Sequence, residues 1–224
     1  MIIITGASGG LGRQLLDYFV NKGEDVIGIY NRTIPTAHLQ NCIQLDLEDE
    51  EAVEQFIQKG DLRNIVLINA VGITISGMAH KQSLAEFKKT IDVNLLSVYS
   101  IISKCLLIMR RQNYGRIINF SSVVPKIGTP GNVAYAASKA ALWGMSKVIA
   151  MENATKGITS NCLNLGYCNA GMVNTIPINI LDDILNKIPQ RSLCSLDNII
   201  NAIEFLIKSD YVTGTELDIN GGMI

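Results

Sequence analysis

Ile2-Ile3-Ile4-Thr5-Gly6-Ala7-Ser8-Gly9-Gly10-Leu11-Gly12 is a short β-branched run that breaks into glycines and then enters a helical pattern. Leu11, Leu15, Tyr18 and Phe19 share one stripe of that helix. Three isoleucines suffice for a buried strand, but fall far short of a signal core or a roughly 20-residue membrane span. The spacing suits each glycine to a different need, Gly6 for a tight turn, Gly10 for bare backbone beside a pyrophosphate and Gly12 for close packing of helix on strand. Ser8, Gly9 and Leu11 complete a turn whose free N–H groups and positive helix end favour phosphate. The stretch predicts a dinucleotide site at the first strand–helix unit; the competing reading is a structural turn.

Outward from this unit the rhythm repeats. Strand-like runs at Val26–Tyr30, Cys42–Leu45, Ile65–Ala70, Ile117–Phe120, Ile158–Leu163 and Glu216–Ile219 alternate with helical stretches. Ser83 and Glu86 form a capping box opening a long helix to about Arg111. Asn132–Ala154 is an alanine-rich helix, and Ser195 can cap another that runs to Lys208. Runs apolar on both faces, each followed by a helix, predict a parallel sheet covered on two sides. The expected fold is a doubly wound α/β domain of three layers, one domain over residues 1–224. Only Gly166–Pro189 resists a period, as either a substrate lid or an ordinary surface loop.

Composition agrees and excludes. The chain has 224 residues, 48% of them hydrophobic and 17% charged, which is too apolar for a disordered protein. Nineteen basic against 20 acidic residues leave a net charge of −1, so no excess exists to neutralise a nucleic-acid backbone. Five cysteines, an odd number without a Cys-x-x-Cys pair, read as reduced, mostly buried small hydrophobes. The expectation is a cytoplasmic protein without membrane or nucleic-acid partners and without a bound metal.

The second strand ends Tyr30-Asn31-Arg32-Thr33. An acidic residue there would grip the ribose hydroxyls of NAD. Arg32 instead offers a planar fork for a 2′-phosphate, helped by Thr33 and Asn31, so NADP(H) is expected over NAD(H). Asp46 could accept from the adenine amino group, with Leu47 offering backbone; the alternative for Asp46 is a helix cap.

Tyr135 and Lys139 stand at i, i+4, one turn apart on a helix face. A free tyrosine titrates near pH ~10, and an adjacent ammonium lowers that value toward the working range. Together with Thr5–Gly12 this pair resembles the short-chain dehydrogenase/reductase superfamily, in its compact single-domain branch with a Rossmann fold. Asn69-Ala70-Val71-Gly72, Asn94, Ser122 and the ending Tyr211-Val212-Thr213-Gly214 with Asn220-Gly221-Gly222 extend the resemblance along nearly the whole chain. It implies that Tyr135 exchanges a proton with a substrate oxygen and that Ser122 steadies the oxyanion. It further implies that Lys139 holds the nicotinamide ribose and that Asn94 holds a water linking Lys139 to solvent. Asn69, Ala70, Gly72 and Gly166 join the implied cofactor contacts.

Gly72-Ile73-Thr74 and Ile188-Pro189-Gln190-Arg191 look like 3-oxoacyl-[acyl-carrier-protein] reductases, which implies an NADPH-dependent homotetramer that reduces a β-keto thioester carried by an acidic protein. Arg110, Arg111, Arg116 and Lys156 are the candidate docking charges. Four departures stand out: Leu165 where the family has proline, Ala170 where it commonly has threonine, Ala70 for a second asparagine, and a short Thr33–Asn41 segment. They leave open a non-catalytic dinucleotide sensor, or a ketoreductase of a sugar or other small ketone. Residues Ile75–Gln82 and 172–187 are expected to line the substrate pocket. The apolar breadth of the two long helices predicts pairing into a dimer or tetramer, through Leu95, Leu96, Val98, Ile101, Ile102 and Leu106 against the alanine-rich helix.

Overall fold

A computed structural model describes residues 1–171 and 178–224. Seven strands form one sheet: β1 Ile2–Thr5, β2 Val26–Tyr30, β3 Cys42–Gln44, β4 Val66–Asn69, β5 Gly115–Ser122, β6 Ile158–Leu165 and β7 Glu216–Ile219. Their order is β3-β2-β1-β4-β5-β6-β7, with every pairing parallel. This is a doubly wound Rossmann-type α/β sheet, and its order reverses at β1, where the chain next enters β4 on the opposite side. The crevice at such a reversal is where ligands bind in open parallel sheets.

Alternation along the strands divides the core. Ile3 packs on one face with Val98, Ile101, Ile102 and Leu142, whereas Ile2 and Ile4 pack on the other with Leu15, Phe19, Ile199 and Ile203. The first face is covered by α2 (Glu50–Lys59), α4 (Ser97–Gln112) and α6 (Val133–Asn153), with α3 (Leu84–Ile91) packed against α6. The second carries α1 (Gly10–Asn21) and α8 (Leu196–Lys208). A short α5 (Val124–Ile127), not foreseen from the sequence, follows β5 directly, with proline in its first turn.

Local chemistry explains most boundaries. The Ser83–Glu86 capping box forms as expected, Ser83 Oγ accepting from the Glu86 N–H and the Glu86 carboxylate accepting from the Ser83 N–H. Ser195 stands at the start of α8, but its hydroxyl accepts from the Asn198 side chain at 2.9 Å rather than from a backbone N–H. At α2 the cap is Asp49, which accepts from Ala52 N–H at 3.0 Å. Asp46 therefore does not cap that helix; its Oδ1 accepts from Glu48 N–H at 3.0 Å.

α3 and α4 are one long helix, Leu84–Gln112, interrupted by a π-helical turn at Asp92–Leu96. By length and composition this helix could cross a membrane. Its residues Val98, Ile101, Ile102, Cys105, Ile108 and Met109 are buried in the core over the sheet. That placement corrects the predicted pairing surface, because Val98, Ile101, Ile102 and Leu142 are taken up by the core. The apolar side chains left exposed on these helices include Leu96 of the π turn, Tyr99 and Leu107 of α4, and Val133, Val148 and Met151 of α6.

Within the segment that showed no period, α7 (Ile178–Lys187) forms. Residues 172–177 of the expected pocket wall lie outside the described residues.

Candidate functional site

The C-terminal ends of the strands open into a cavity of about 820 Å³, within the range of cofactor and substrate sites. One end is the turn after β1. Gly6 adopts φ +70°, a left-handed conformation, and a Cβ on it would fall 2.9 Å from the Val71 Cα. Gly12 faces the same turn, where a Cβ would lie 2.3 Å from the Gly6 carbonyl oxygen. The bareness of Gly10 has a cause the sequence could not show: a Cβ there would sit 2.2 Å from the Cα of Gly171. No side chain caps the start of α1, so its first N–H groups remain for a ligand.

Ser8, Gly9, Leu11, Asn31, Arg32, Thr33, Asp46, Leu47, Ala70, Gly72 and Gly166 all line the cavity. Arg32 is exposed and, among the described residues, has no hydrogen-bond or ion-pair partner. Asn69 is different. It is buried behind the wall, bonded to Thr5 Oγ1 at 3.4 Å and to Asn119 Oδ1 at 2.8 Å. Asn119 continues to Ser146 Oγ at 2.8 Å, so the Asn69 side chain ties β1, β4, β5 and α6 together. Its side chain fastens the elements behind the cavity rather than lining it.

The far end of the cavity gathers Ser122, Tyr135 and Lys139. Ser122 ends β5, and its Oγ accepts from Val124 N–H at 3.1 Å, which leaves the hydroxyl proton free to donate. Lys139 is 5% exposed, with Nζ donating to the Phe120 carbonyl at 2.7 Å. The same turn of α6 is fastened to β5 again by Ser121 Oγ donating to the Lys139 carbonyl at 2.9 Å. Asn94, buried in the π turn, donates to Ser138 Oγ and Ile73 O and accepts from Ile73 N–H at 2.8 Å. π turns recur at functional sites; here the extra residue turns Asn94 toward α6 and the strand-end loop.

Burial makes the Lys139 ammonium costly and brings it down to about 8 from 10.5. The expected effect on Tyr135 is not found. Burial pushes the phenol above its ordinary value, and the only opposing influence is the Ser122 hydroxyl. Lys139 Nζ lies 5.8 Å from the centre of the Tyr135 ring and is committed to the β5 backbone, so desolvation prevails.

Several lining residues were not singled out from the sequence. Lys89 and Glu48 form an ion pair at 2.6 Å across the rim, and Tyr167, Cys168 and Thr129 contribute to the walls. Ser76 and Ile184 come from the two segments expected to form the substrate wall. The pairing of Lys89 with Glu48 spans two elements and leaves no local signature. Ala170 is buried and has no side-chain donor to offer. With an N–H at Leu165 instead of proline, β6 stays in register with β5 and β7 through that residue.

The proposed docking charges fare worse. Arg116 is 6% exposed, and its guanidinium donates to the carbonyls of Ile207, Gly115 and Gly157. Arg110 is bonded to Asn153 Oδ1 at 2.6 Å. Both lie at the N-terminal edge of the sheet, about 20 Å of strand away from the cavity mouth.

The profile of the family described as short chain dehydrogenase matches residues 1–180. The 3-oxoacyl-[acyl-carrier-protein] reductase FabG of Rickettsia felis is 33% identical over 99% of this chain and 95% of its own. The enzyme of the same name from Haemophilus influenzae is 33% identical, covering 99% and 96%. Nodulation protein G of Rhizobium sp. (strain N33) is 32% identical, covering 99% and 95%. With a matching profile over most of its length and relatives of this similarity from end to end, the chain belongs to the short-chain dehydrogenase family of oxidoreductases.

Proposed function

We propose that this protein is an NADP(H)-dependent oxidoreductase that interconverts a ketone and a secondary alcohol, with a 3-oxoacyl thioester on acyl-carrier protein as its substrate. The observation that carries the reading is a cavity with a glycine turn and an arginine without a partner among the described residues at one end, and Ser122, Tyr135 and Lys139 at the other. The substrate class follows from the names of the reductases it resembles. The whole chain acts as one domain, because strands from Ile2 to Ile219 belong to one sheet. Its free cysteines suit the cytoplasm.

The dinucleotide fits the residues present. The turn Gly6–Gly12 and the start of α1 take the pyrophosphate. Arg32, Thr33 and Asn31 take the 2′-phosphate, Asp46 and Leu47 flank the adenine, and backbone at Ala70, Gly72 and Gly166 lies along the middle of the cavity. Ala170 forgoes one hydrogen bond to the carboxamide, at a cost of about 1 kcal/mol. When bound, the nicotinamide supplies or accepts the hydride. Tyr135 gives its phenolic proton to the oxygen that becomes the alcohol, and Ser122 donates a hydrogen bond to that oxygen as charge develops on it. Lys139, at the cavity wall beside Tyr135, takes the nicotinamide ribose, and Asn94 fixes the first turns of α6 through Ser138.

Purified protein is expected to oxidise NADPH in the presence of acetoacetyl-acyl-carrier protein, followed by nicotinamide absorbance. No oxidation with that substrate or with a panel of small ketones would leave a dinucleotide-binding sensor as the better reading. Arg32→Ala is expected to weaken NADPH binding by about 10- to 100-fold, the size of a charge-assisted contact, and to leave NADH binding nearly unchanged. Equal losses in titrations of both dinucleotides would refute the 2′-phosphate assignment.

Leu107, Val148 and Met151 lie exposed on α4 and α6, which Arg110 and Asn153 join side by side. This apolar face supports a homo-oligomer, dimer or tetramer. Sedimentation at micromolar concentration is expected to show no monomer, and Met151→Glu to shift the distribution toward one.

A further inference from the structure

Two of the five cysteines, far apart in sequence, meet beside the cavity. Cys168 follows β6 and lines the site, and Cys194 lies just before α8. They face each other in an isolated parallel bridge: Cys194 N–H donates to the Tyr167 carbonyl at 2.8 Å, and Asn169 N–H donates to the Cys194 carbonyl at 3.0 Å. Residues so paired send their side chains to the same side, with backbones about 4.8 Å apart. That falls inside the roughly 4.4–6.8 Å separation of Cα atoms in disulfides. All five thiols are free in the structure.

We propose that Cys168 and Cys194 are a reversible dithiol–disulfide pair, oxidised by peroxides, whose closure weakens dinucleotide binding.

The chemistry is within reach of these two side chains and of no other pair among the described residues. Cys194 is half-exposed, and the neighbouring Cys168 thiol holds its pKa below the ordinary thiol value, which favours the thiolate; in the reduced structure Cys168 Sγ donates to the Gly166 carbonyl and Cys194 Sγ to the Ser195 carbonyl. The neighbouring Cys194, with burial, raises Cys168, which keeps its proton. Cys105 and Cys162 are buried and pushed up to about 12 and about 11, and burial raises Cys42 as well. The Cys194 thiolate attacks one oxygen of hydrogen peroxide, and the other leaves as hydroxide, giving a sulfenic acid. The Cys168 sulfur then displaces that sulfenic oxygen, which departs as water with the Cys168 proton, and the S–S bond forms. Two thiols lose two electrons and two protons, and one peroxide becomes two waters.

The consequence for binding rests on the dinucleotide reading above. The turn that begins at Cys168 ends at Gly171, whose backbone touches Gly10 with no space between them for a methyl group. A pyrophosphate entering over Gly10 must part that contact. A covalent tether from Cys168 to the start of α8 holds the turn in place and opposes the parting.

Full-length protein treated with stoichiometric hydrogen peroxide, alkylated and digested, is expected to yield a peptide joining Cys168 to Cys194, absent after dithiothreitol. The dissociation constant for NADPH is expected to rise at least about fivefold on oxidation, the low end of coupling between linked sites, and to recover on reduction. Cys194→Ser should bind NADPH as the reduced wild type does and ignore peroxide. Absence of the linked peptide while other thiols oxidise would overturn the proposal, and so would a quantitative linkage that leaves NADPH affinity unchanged. Failure of the reduced protein to bind NADPH at all would instead count against the proposed function, and the peptide would still report on the pair.

Discussion

Tyr135→Phe is expected to lower turnover by about 10³-fold, within the range that a positioned acid contributes, while NADPH affinity stays within about a factor of three of wild type. The variant removes one oxygen and keeps the ring that packs into the cavity wall, so the fold and the dinucleotide end are untouched. Burial holds the phenol above its ordinary pKa, and near neutrality it therefore carries the proton that carbonyl reduction consumes. Ser122, with its own oxygen bonded by Val124 N–H, can polarise the carbonyl but has no mobile proton of suitable acidity to replace the phenol. Kinetics and binding measured on the same preparation separate the possibilities. A variant with undiminished turnover would remove Tyr135 from the chemistry, and with it the central step of the proposed mechanism.

Lys139→Met should lose activity on a similar scale and yet gain stability near neutrality. The lysine is buried, and its pKa in the folded protein, about 8, lies below the 10.5 of the free side chain. A lowered lysine value means that the folded state binds this proton less tightly than the unfolded state does. The charge therefore opposes folding in full below pH ~8, progressively less from there to about 10.5, and not at all above. The shift corresponds to about 3 kcal/mol, of which 1–2 kcal/mol is offset by the lost bond to the Phe120 carbonyl. Denaturant titrations at several pH values are expected to show Lys139→Met the more stable at pH 7, with the difference shrinking as pH rises through that window. A constant difference would mean that the ammonium is solvated in the protein. Carbonyl reduction by wild type should likewise decline as pH passes about 8, where Lys139 loses the charge with which it would hold the cofactor ribose.

Much of this architecture was legible because it is written at short range. The sheet could be read from Ile2–Thr5 and its successors, since a strand buried on both faces needs an unbroken apolar run. Ser83 and Glu86 fixed a helix start through contacts three residues apart. The i, i+4 spacing of Tyr135 and Lys139 put both at one end of α6 without any knowledge of the rest of the chain. Where the reading went astray, the deciding neighbour was remote. Arg116 looked like a free surface charge until the carbonyls of Gly157 and Ile207 were brought to it. The Asn69 side chain is held by Thr5 and Asn119, partners 64 and 50 residues away that no local pattern announces. The helix α7 was hidden in a segment whose glycines, asparagines and prolines obscure any period.

By itself the chain's order of residues determined a parallel α/β sheet, a phosphate-ready turn after the first strand and a phenol one helical turn from an amine. Each is set by backbone geometry over a few residues. Folding in three dimensions decided how those groups behave: that desolvation would raise Tyr135 and lower Lys139, that Gly171 would close on Gly10, and that Cys168 would stand opposite Cys194. Those outcomes depend on which atoms exclude water from which others across the molecule, and no local pattern carries that information.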